Sequence, residues 1–397
     1  MLVVAQGGMA GAERLPPGRL CKTKGRGPGK NAMKLFQCQC CGQVLHFENT
    51  VCLRCGRNVG YLPERGEMLA VEPQGALWVV AGEGDAEAAP REEGALRFCA
   101  NWERSACNWM VPAGEGEDEA FCLACIHNRT VPDLSDPLNH SRWQKIEAAK
   151  RRLIYSLLRL DLPLPRPGDG SPEPLVFDFL ADAQGAAERV LTGHADGVIT
   201  ISLTEADDAT REKMRIEMGE AYRTLLGHFR HEVGHYYWDL LVRDGGHLEP
   251  FRALFGDDTE DYAEALNRHY ANGAPADWQE NHVSAYATMH AWEDWAETWA
   301  HYLHMVDTLE TAAAFGLRVE PDLDEDGELS TELDFDPHRV RRIRRLLAAW
   351  MPLTVALNAL NRSMGQADLY PFVLPPAVLE KLAFVHDLVV QRRSAPA

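Results

Sequence analysis

The residues best suited to chemistry in this chain are His231, Glu232 and His235, which form the pattern H-E-x-x-H. On a helix, the two histidines lie one turn apart on the same face, so their imidazoles can bind one Zn²⁺ together. Glu232 then lies beside them, where its carboxylate can act as a general base toward a water activated by the zinc. Because so short a pattern also occurs by chance, it needs a helix and a third ligand in the surrounding sequence.

A helix is predicted around the pattern, because apolar residues recur there at helical spacing and Gly245-Gly246 supplies a stop. Before it, residues 175–179, 189–192 and 198–203 are predicted strands, and the last two flank an Asp196-Gly197 turn. A β-ribbon that precedes such a helix can offer its edge strand to an extended peptide. An ordinary sheet strand that binds no ligand is the alternative for 198–203.

The third ligand is expected from a second helix, since a catalytic zinc keeps three protein ligands and one open position. A histidine six residues after His235 would be one solution, but Leu241 occupies that position. The second predicted helix carries a polar face of His290, Glu293, Glu297, His301 and His304 opposite an apolar face of Trp292, Trp295, Trp299, Tyr302, Leu303 and Val306. A solvated polar face over a buried aromatic one is the alternative for this helix.

Glu293 and Glu297 are four residues apart on this helix, so both carboxylates can face the metal. We predict that Glu293 is the third zinc ligand and that Glu297 accepts a hydrogen bond from the far nitrogen of a ligand histidine, which fixes its tautomer. The reverse assignment of the two glutamates stays open. Tyr286, two helical turns before Glu293, could donate a hydrogen bond to an oxyanion, and packing is the alternative for its ring.

The cysteines form two sets with the spacing of structural zinc sites. The first set consists of Cys38, Cys41, Cys52 and Cys55, and the second of Cys99, Cys107, Cys122 and Cys125. Four thiolates close the coordination shell and leave no position for a substrate, so both sets are predicted to hold structural zinc. Four buried free thiols are the alternative for the second set, whose first spacing is wide. Cys40 is interpreted as a spare thiol.

Composition indicates a globular protein of 397 residues, with 46% hydrophobic residues and a net charge of -19. So acidic a chain is not expected to bind nucleic acid or anionic membranes, and residues 35–63 carry no basic stripe. The ribbon modules are therefore expected to bind a protein partner or to serve as structural packing. No apolar run reaches the roughly 18–20 residues of a membrane helix. Together with cysteines that suit thiolate ligands, this predicts a cytoplasmic protein.

Taken together, these residues resemble a bacterial family of zinc-binding metallopeptidases whose members carry an amino-terminal zinc ribbon. The matching stretches are residues 36–63, 98–135, 192–208, 222–240, 284–304 and 361–385. The resemblance implies an H-E-x-x-H zinc hydrolase and no particular substrate. Locally, Glu293-Asp-Trp-Ala-Glu297 is also similar to the Glu-x-x-Ala-Glu helix of lethal-factor-like gluzincins. In those proteins the first glutamate binds zinc, and a tyrosine at the spacing of Tyr286 stabilises the oxyanion.

The predicted fold is α+β and mainly α, with a zincin-like metallopeptidase domain preceded by small zinc-ribbon modules. The predicted regions are a disordered basic tail (1–33), a zinc ribbon (34–63), a connecting hairpin and loop (64–97), a second four-cysteine zinc module (98–135) and the α-rich metallopeptidase domain (136–397). Within the last region, Ser141 and Gln144 are predicted to cap a helix over residues 146–160, and Pro375-Pro376 to open the last helix.

The leading hypothesis is a gluzincin-type zinc metallopeptidase that hydrolyses a peptide bond of a peptide or protein substrate, with Glu232 as general base. It requires one catalytic zinc, beside the two structural zinc ions. One alternative is a zinc-ribbon interaction protein whose hydrolase site is idle, although a structural zinc has no use for the intact Glu232. Another is a zinc amidase that acts on a non-peptide or isopeptide amide with the same residues.

Overall fold

The computed structural model describes residues 35–82, 94–114, 121–182, 190–217 and 220–394. The predicted basic tail and much of the loop before residue 94 lie outside the described residues. Contacts divide the chain into two compact units, one ending at Cys122 and the other beginning at Leu123. The architecture is α+β and mainly helical, as predicted. Among the described residues, seven of the thirteen strands lie in the first unit and all eight α-helices lie in the second.

The first unit is built from short antiparallel strands. A two-residue pair, β1 (Phe36–Gln37) and β2 (Val44–Leu45), precedes a five-stranded sheet in the order β3-β4-β5-β6-β7. The strands of that sheet are β3 (Asn58–Leu62), β4 (Glu67–Gln74), β5 (Leu77–Val80), β6 (Leu96–Phe98) and β7 (Met110–Pro112). The predicted hairpin is therefore one part of a larger sheet.

Apolar side chains hold this sheet together. Its core consists of Leu62, Leu69, Val71, Val80, Leu96 and Met110, with Trp78 and Phe98 packed against it. Strands β4 and β5 are joined by a tight turn in which Gly75 adopts a φ of +65°, a conformation that suits glycine. Leu69, Val71, Val80 and Leu96 come from the region 64–97 that was predicted as a hairpin and loop, whereas Leu62 and Met110 come from the two neighbouring regions.

The second unit contains eight α-helices and six strands among its described residues. The helices are α1 (Pro137–Arg159), α2 (Asp208–Glu217), α3 (Leu225–Trp238), α4 (Leu248–Phe255), α5 (Tyr262–Asn272), α6 (Ala291–Ala314), α7 (Ile343–Ser363) and α8 (Pro376–Ser394). The strands are β8 (Asn128–Thr130), β9 (Val176–Leu180), β10 (Gly193–Ala195), β11 (Val198–Ser202), β12 (Arg318–Val319) and β13 (Thr331–Glu332). No described helix is long and apolar enough to cross a membrane.

A four-stranded sheet lies in the order β10-β11-β9-β8, with β10 antiparallel to β11 and the other pairs parallel. The predicted strand over 189–192 is wrong in its described part, because the ribbon begins at Gly193. The turn itself forms where it was predicted, at Asp196-Gly197, and both of these residues have positive φ. Ala195 pairs with Val198 directly across this turn, so β10 ends and β11 begins at the turn itself.

Helices α3 and α6 form the centre of the second unit, and α1, α4, α7 and α8 pack around them. Helix α6 is buried on nearly all sides, so the alternative of a solvated polar face is wrong. Helix α1 begins at Pro137, earlier than predicted, because the Asp136 side chain caps it by accepting from the Leu138 amide at 2.8 Å. The last helix begins at Pro376, where the Pro-Pro pair predicts it.

Candidate metal centre

Helix α3 brings the two histidines of the pattern together. Its amino terminus is capped by Thr224, whose Oγ1 accepts a hydrogen bond from the Gly227 amide at 3.0 Å. Two turns further on, His231 and His235 face the same way, and their Nε2 atoms lie 3.2 Å apart. Both side chains are largely buried. The helical spacing thus places two imidazole nitrogens at one point, as an ion with nitrogen ligands requires.

Glu293 reaches the same point from α6. Its Oε2 lies 3.0 Å from Nε2 of His231, and its Oε1 lies 3.5 Å from Nε2 of His235. One ligand atom from each of the three residues falls within 4.8 Å of the others. Burial alone would raise the pKa of this carboxyl, but the two imidazoles outweigh burial and hold the pKa well below its usual range. Two imidazoles and one ionised carboxylate are a donor set that fits zinc and leaves a fourth position open.

Glu297 lies one turn further along α6 and contacts the opposite nitrogen of His231. Its Oε1 is 2.8 Å from Nδ1 of His231, and its Oε2 accepts a hydrogen bond from Oγ of Ser284 at 2.6 Å. Burial raises the pKa of Glu297, but His231, together with His301 and Ser284, outweighs burial and lowers the pKa to about 2. An ionised carboxylate on Nδ1 favours the tautomer of His231 that keeps the Nε2 lone pair free for a metal.

Glu232 is buried on the same helix, with a histidine and a second carboxylate behind it. Nε2 of His228 lies 4.0 Å from Oε1 of Glu232, and its Nδ1 lies 3.1 Å from Oε2 of Glu205. Glu205 also accepts from Arg223 at 3.2 Å. Burial raises the pKa of Glu205, but His228 and Arg223 lower the pKa to about 2. The sequence indicated Glu205 only as an acid near a helix start, since its partners lie in distant segments.

Two tyrosines lie at the ligand set, although the sequence pointed to only one. The ring of Tyr286 lies 6.1 Å from that of His231, centroid to centroid. Tyr262, at the start of α5, donates a hydrogen bond to Oε1 of Glu293 at 2.9 Å, and it is also hydrogen-bonded to Tyr286. Sequence reasoning missed Tyr262 because no local pattern distinguishes it from other helical tyrosines.

The sequence predicted Trp292 on the apolar face of α6, opposite the polar face, and this prediction is wrong. Its ring centroid lies 3.7 Å from that of His235, so the indole packs against this imidazole. The predicted aromatic face does hold for Trp295, whose Nε1 donates to the Gly234 carbonyl at 2.8 Å. The sequence prediction used only the angular position of Trp292 around α6. In the structure its indole packs against His235 of the neighbouring helix α3.

The first cysteine set forms a compact cluster in the first unit. Its four sulfur atoms lie within 4.8 Å of one another, and they are those of Cys38, Cys41, Cys52 and Cys55. A glycine amide closes the turn of each C-x-x-C pair. The Gly42 amide donates to the carbonyl of Cys38, and the Gly56 amide donates to the carbonyl of Cys52. Cys40 instead directs its sulfur to the Ala81 carbonyl at 3.8 Å. This arrangement fits a tetrahedral ion held by four thiolates.

Three members of the second set lie together in the first unit, and all are buried. The sulfur atoms of Cys107 and Cys122 lie 3.6 Å apart, and the amide of Cys122 donates to the sulfur of Cys99 at 3.5 Å. Cys125 follows in the chain at the start of the second unit. The C-x-x-C spacing predicts it as the fourth ligand of this set.

Comparison with known proteins identifies the family of the chain. Residues 139–388 match the family described as "putative zinc-binding metallo-peptidase", and residues 35–136 match a zinc-ribbon domain. Uncharacterized proteins of Mycobacterium bovis and Mycobacterium tuberculosis are 43% identical over 358 residues, which cover 90% of this chain and 95% of each relative. No solved structure matches the chain. The chain therefore belongs to the family of putative zinc-binding metallo-peptidases that carry an amino-terminal zinc ribbon.

Proposed function

We propose that this protein is a gluzincin-type zinc metallopeptidase in which His231, His235 and Glu293 hold the catalytic ion. The observation that carries the proposal is the convergence of these three side chains from two buried helices. Glu297 supports the same assignment, because it contacts Nδ1 of His231 while Glu293 contacts Nε2. The two glutamates thus divide the roles of ligand and orienting carboxylate.

Zinc, when bound, would supply a Lewis acid that lowers the pKa of a water to roughly 7. Glu232 is the proposed general base: it takes a proton from the attacking water and delivers it to the leaving nitrogen. Tyr286 is the proposed donor to the oxyanion that forms on the substrate carbonyl. The proximity of its ring to His231 supports that role.

We further propose that the two cysteine sets hold structural zinc, which makes three zinc ions per chain. Four thiolates complete a coordination shell and leave no site for a substrate. The substrate is proposed to be a peptide or protein, and the ribbon is the proposed contact for a protein partner. Because thiolate ligands persist in a reducing compartment, we propose a cytoplasmic location.

The test of the peptidase is the substitution Glu232→Gln, which removes the base while it keeps the size of the side chain. Hydrolysis should fall by about 10²–10⁴-fold with the zinc content unchanged, since general-base catalysis is worth that much. The matched control is Glu249→Gln on α4, whose side chain is 90% exposed. Turnover is measured by mass spectrometry on a peptide library, with isopeptide and simple amide substrates added to detect a zinc amidase.

Undiminished hydrolysis by Glu232→Gln would overturn the base assignment. Hydrolysis only of the isopeptide or simple amide substrates would replace the peptidase by the amidase. A wild-type protein that binds zinc at His231 and His235 but hydrolyses nothing in the panel would favour the interaction protein with an idle site. The buried Glu232 beside the ligand histidines argues against that last outcome, because a structural zinc has no use for a general base.

A further inference from the structure

Helix α5 brings one side chain to the ligand set from the solvent side. Most of its residues are exposed, and only Ala265 is fully buried. Gly256 and Gly273, both with positive φ, lie before the helix and at its carboxyl end. The contact of α5 with the site is made by its first residue, Tyr262, whose side chain is 39% exposed. The ring therefore faces outward in part, while the hydroxyl points inward.

The hydroxyl of Tyr262 lies within one hydrogen bond of the proposed ligands. It donates to Oε1 of Glu293 at 2.9 Å, and that oxygen also lies 3.5 Å from Nε2 of His235. Tyr262 therefore directs its proton at an oxygen of a proposed ligand residue. Tyr262 is thus a hydrogen-bond donor at the point where a substrate oxygen would meet the ligand set.

Tyr286 and Tyr262 form a hydrogen-bonded chain that ends on Glu293. Tyr286 lies deeper, since it is half-buried whereas Tyr262 is exposed. The hydrogen bond between Tyr286 and Tyr262 fixes the orientation of the Tyr262 phenol, which lies nearer to the ligands. An ion held by Glu293 would compete with the hydrogen bond from Tyr262, which would leave the Tyr262 proton available to a new acceptor.

We propose that Tyr262 is a further catalytic residue, which donates a hydrogen bond to the oxyanion of the substrate beside Tyr286. The proposal rests on the proposed zinc hydrolase function. It assigns α5 a direct role in the reaction, since a helix with almost no buried surface of its own carries the donor. Removal of this hydroxyl should weaken binding of the transition state more than binding of the substrate, so kcat should fall while KM changes little.

The experiment compares Tyr262→Phe with Tyr270→Phe, a phenol-to-phenyl control on the same helix whose ring is 64% exposed. Zinc affinity is measured first, by competition with a chelator. Binding of methylphosphonate, a small tetrahedral oxyanion, to each zinc-loaded protein is then measured by calorimetry. The activity readout is kcat and KM on the best peptide from the library.

We expect Tyr262→Phe to weaken methylphosphonate binding and to lower kcat by about 10²–10³-fold, the loss typical of removing one oxyanion donor. Its zinc affinity should stay within about threefold of the wild type, and Tyr270→Phe should match the wild type throughout. Equal methylphosphonate binding in the two variants would overturn the role of Tyr262. So would a tenfold loss of zinc affinity with normal methylphosphonate binding, because Tyr262 would then only orient Glu293.

The wild type separates this proposal from the one on which it rests. If the protein loses no zinc when His231 and His235 are replaced by alanine, the hydrolase site itself fails, and the role of Tyr262 fails with it. If the wild type binds that zinc but not methylphosphonate, the metal site stands and the oxyanion donor is overturned.

Discussion

At the residue scale, the two glutamates of α6 are expected to differ in how strongly their loss weakens zinc binding. Glu293 lies between the two histidine Nε2 atoms, whereas Glu297 contacts only Nδ1 of His231. We therefore expect Glu293→Gln to abolish zinc binding at this site. Glu297→Gln should weaken zinc binding by about 10–100-fold, as loss of an orienting partner does. Zinc affinity of the two variants, measured by chelator competition, checks the expectation.

A substitution at Ser284 should cause a smaller loss of zinc affinity than a substitution at Glu297. Its hydroxyl donates to Oε2 of Glu297 and touches neither histidine nitrogen. Ser284→Ala should therefore weaken zinc binding less than Glu297→Gln does. If Glu297→Gln lost the ion completely while Glu293→Gln kept it, the roles of the two glutamates would be exchanged.

The residues of the site differ in how far sequence could predict them. His231, Glu232 and His235 follow from a local spacing on one helix, because one helical turn determines their relative positions. Tyr262 could not be predicted, since its position depends on how α5 lies over α6, and no spacing within α5 records that. Glu205 is similar, because its partner His228 lies in another helix of the chain.

At the element scale, the distance between α3 and α6 controls the ligand geometry. The helices approach closely at Gly234, where an added Cβ would lie 3.1 Å from Cα of Ala296 and 3.2 Å from Cβ of Trp299. A backbone atom cannot move as a flexible side chain can. Gly234→Ala should therefore separate the helices, destabilise the fold by about 1–3 kcal/mol and weaken zinc binding by the α3–α6 ligands.

The control for this prediction is Gly227→Ala in the same helix. A Cβ there would meet the side-chain atoms of Thr224 and Tyr222, which can adjust, and alanine is the better helix former. We expect its zinc affinity to stay near that of the wild type, with any loss of stability limited to about 1 kcal/mol at the Thr224 cap. Urea unfolding and chelator competition measure both quantities. Equal zinc affinity in the two glycine variants would show that the helix spacing does not limit metal binding.

A second element-scale feature is a buried charge cluster that links α1 and α6 to the segment before α7. The imidazole of His338 lies 3.4 Å from Glu310 and 3.7 Å from Asp307. The other charged groups around it are Asp336, Arg159, Arg230 and Arg393. Glu310, Asp336 and His338 together resemble a metal site, but Arg159 already pairs with both acids, so the cluster is better described as an ion-pair network.

This cluster predicts a pH dependence of stability. Burial favours the neutral ring of His338, but Glu310 and Asp307 outweigh burial and raise its pKa to about 9. Because the folded pKa exceeds the usual 6.5, the stabilisation is complete below pH 6.5 and is lost as the pH rises through about 9. The loss amounts to roughly 3 kcal/mol. Urea unfolding from pH 6 to 10 should reveal this slope in the wild type and a shallower one in His338→Gln.

At the scale of the whole molecule, sequence predicted the order of the modules better than their internal pairing. The two C-x-x-C pairs of the first set are local, so their cluster follows from spacing. From the five-stranded sheet the sequence predicted only one hairpin, because β6 and β7 contribute few residues and pair across a long loop. The start of α1 was missed although Asp136-Pro137 is a good start signal, since a capping box a few residues later competed with it.

The number of zinc ions per chain tests the assignment of all three proposed sites together. We expect three zinc ions in the wild type. Both Cys38→Ser/Cys41→Ser and His231→Ala/His235→Ala should contain two, because each removes ligands from a different site. The quadruple variant should contain one. Zinc per chain is measured by elemental mass spectrometry after removal of loosely bound ions, and circular dichroism confirms that each variant is folded.

The pattern of loss matters more than the total, because the three sites differ in ligand chemistry. The thiolate sites should release zinc to a thiol-reactive mercurial, whereas the site of His231, His235 and Glu293 contains no sulfur and should keep its ion. One zinc resistant to the mercurial in the wild type, and none in His231→Ala/His235→Ala, would identify that ion as the one bound by α3 and α6. Two ions in both proteins, all released by the mercurial, would leave only the ribbon sites and would exclude a zinc-dependent hydrolase.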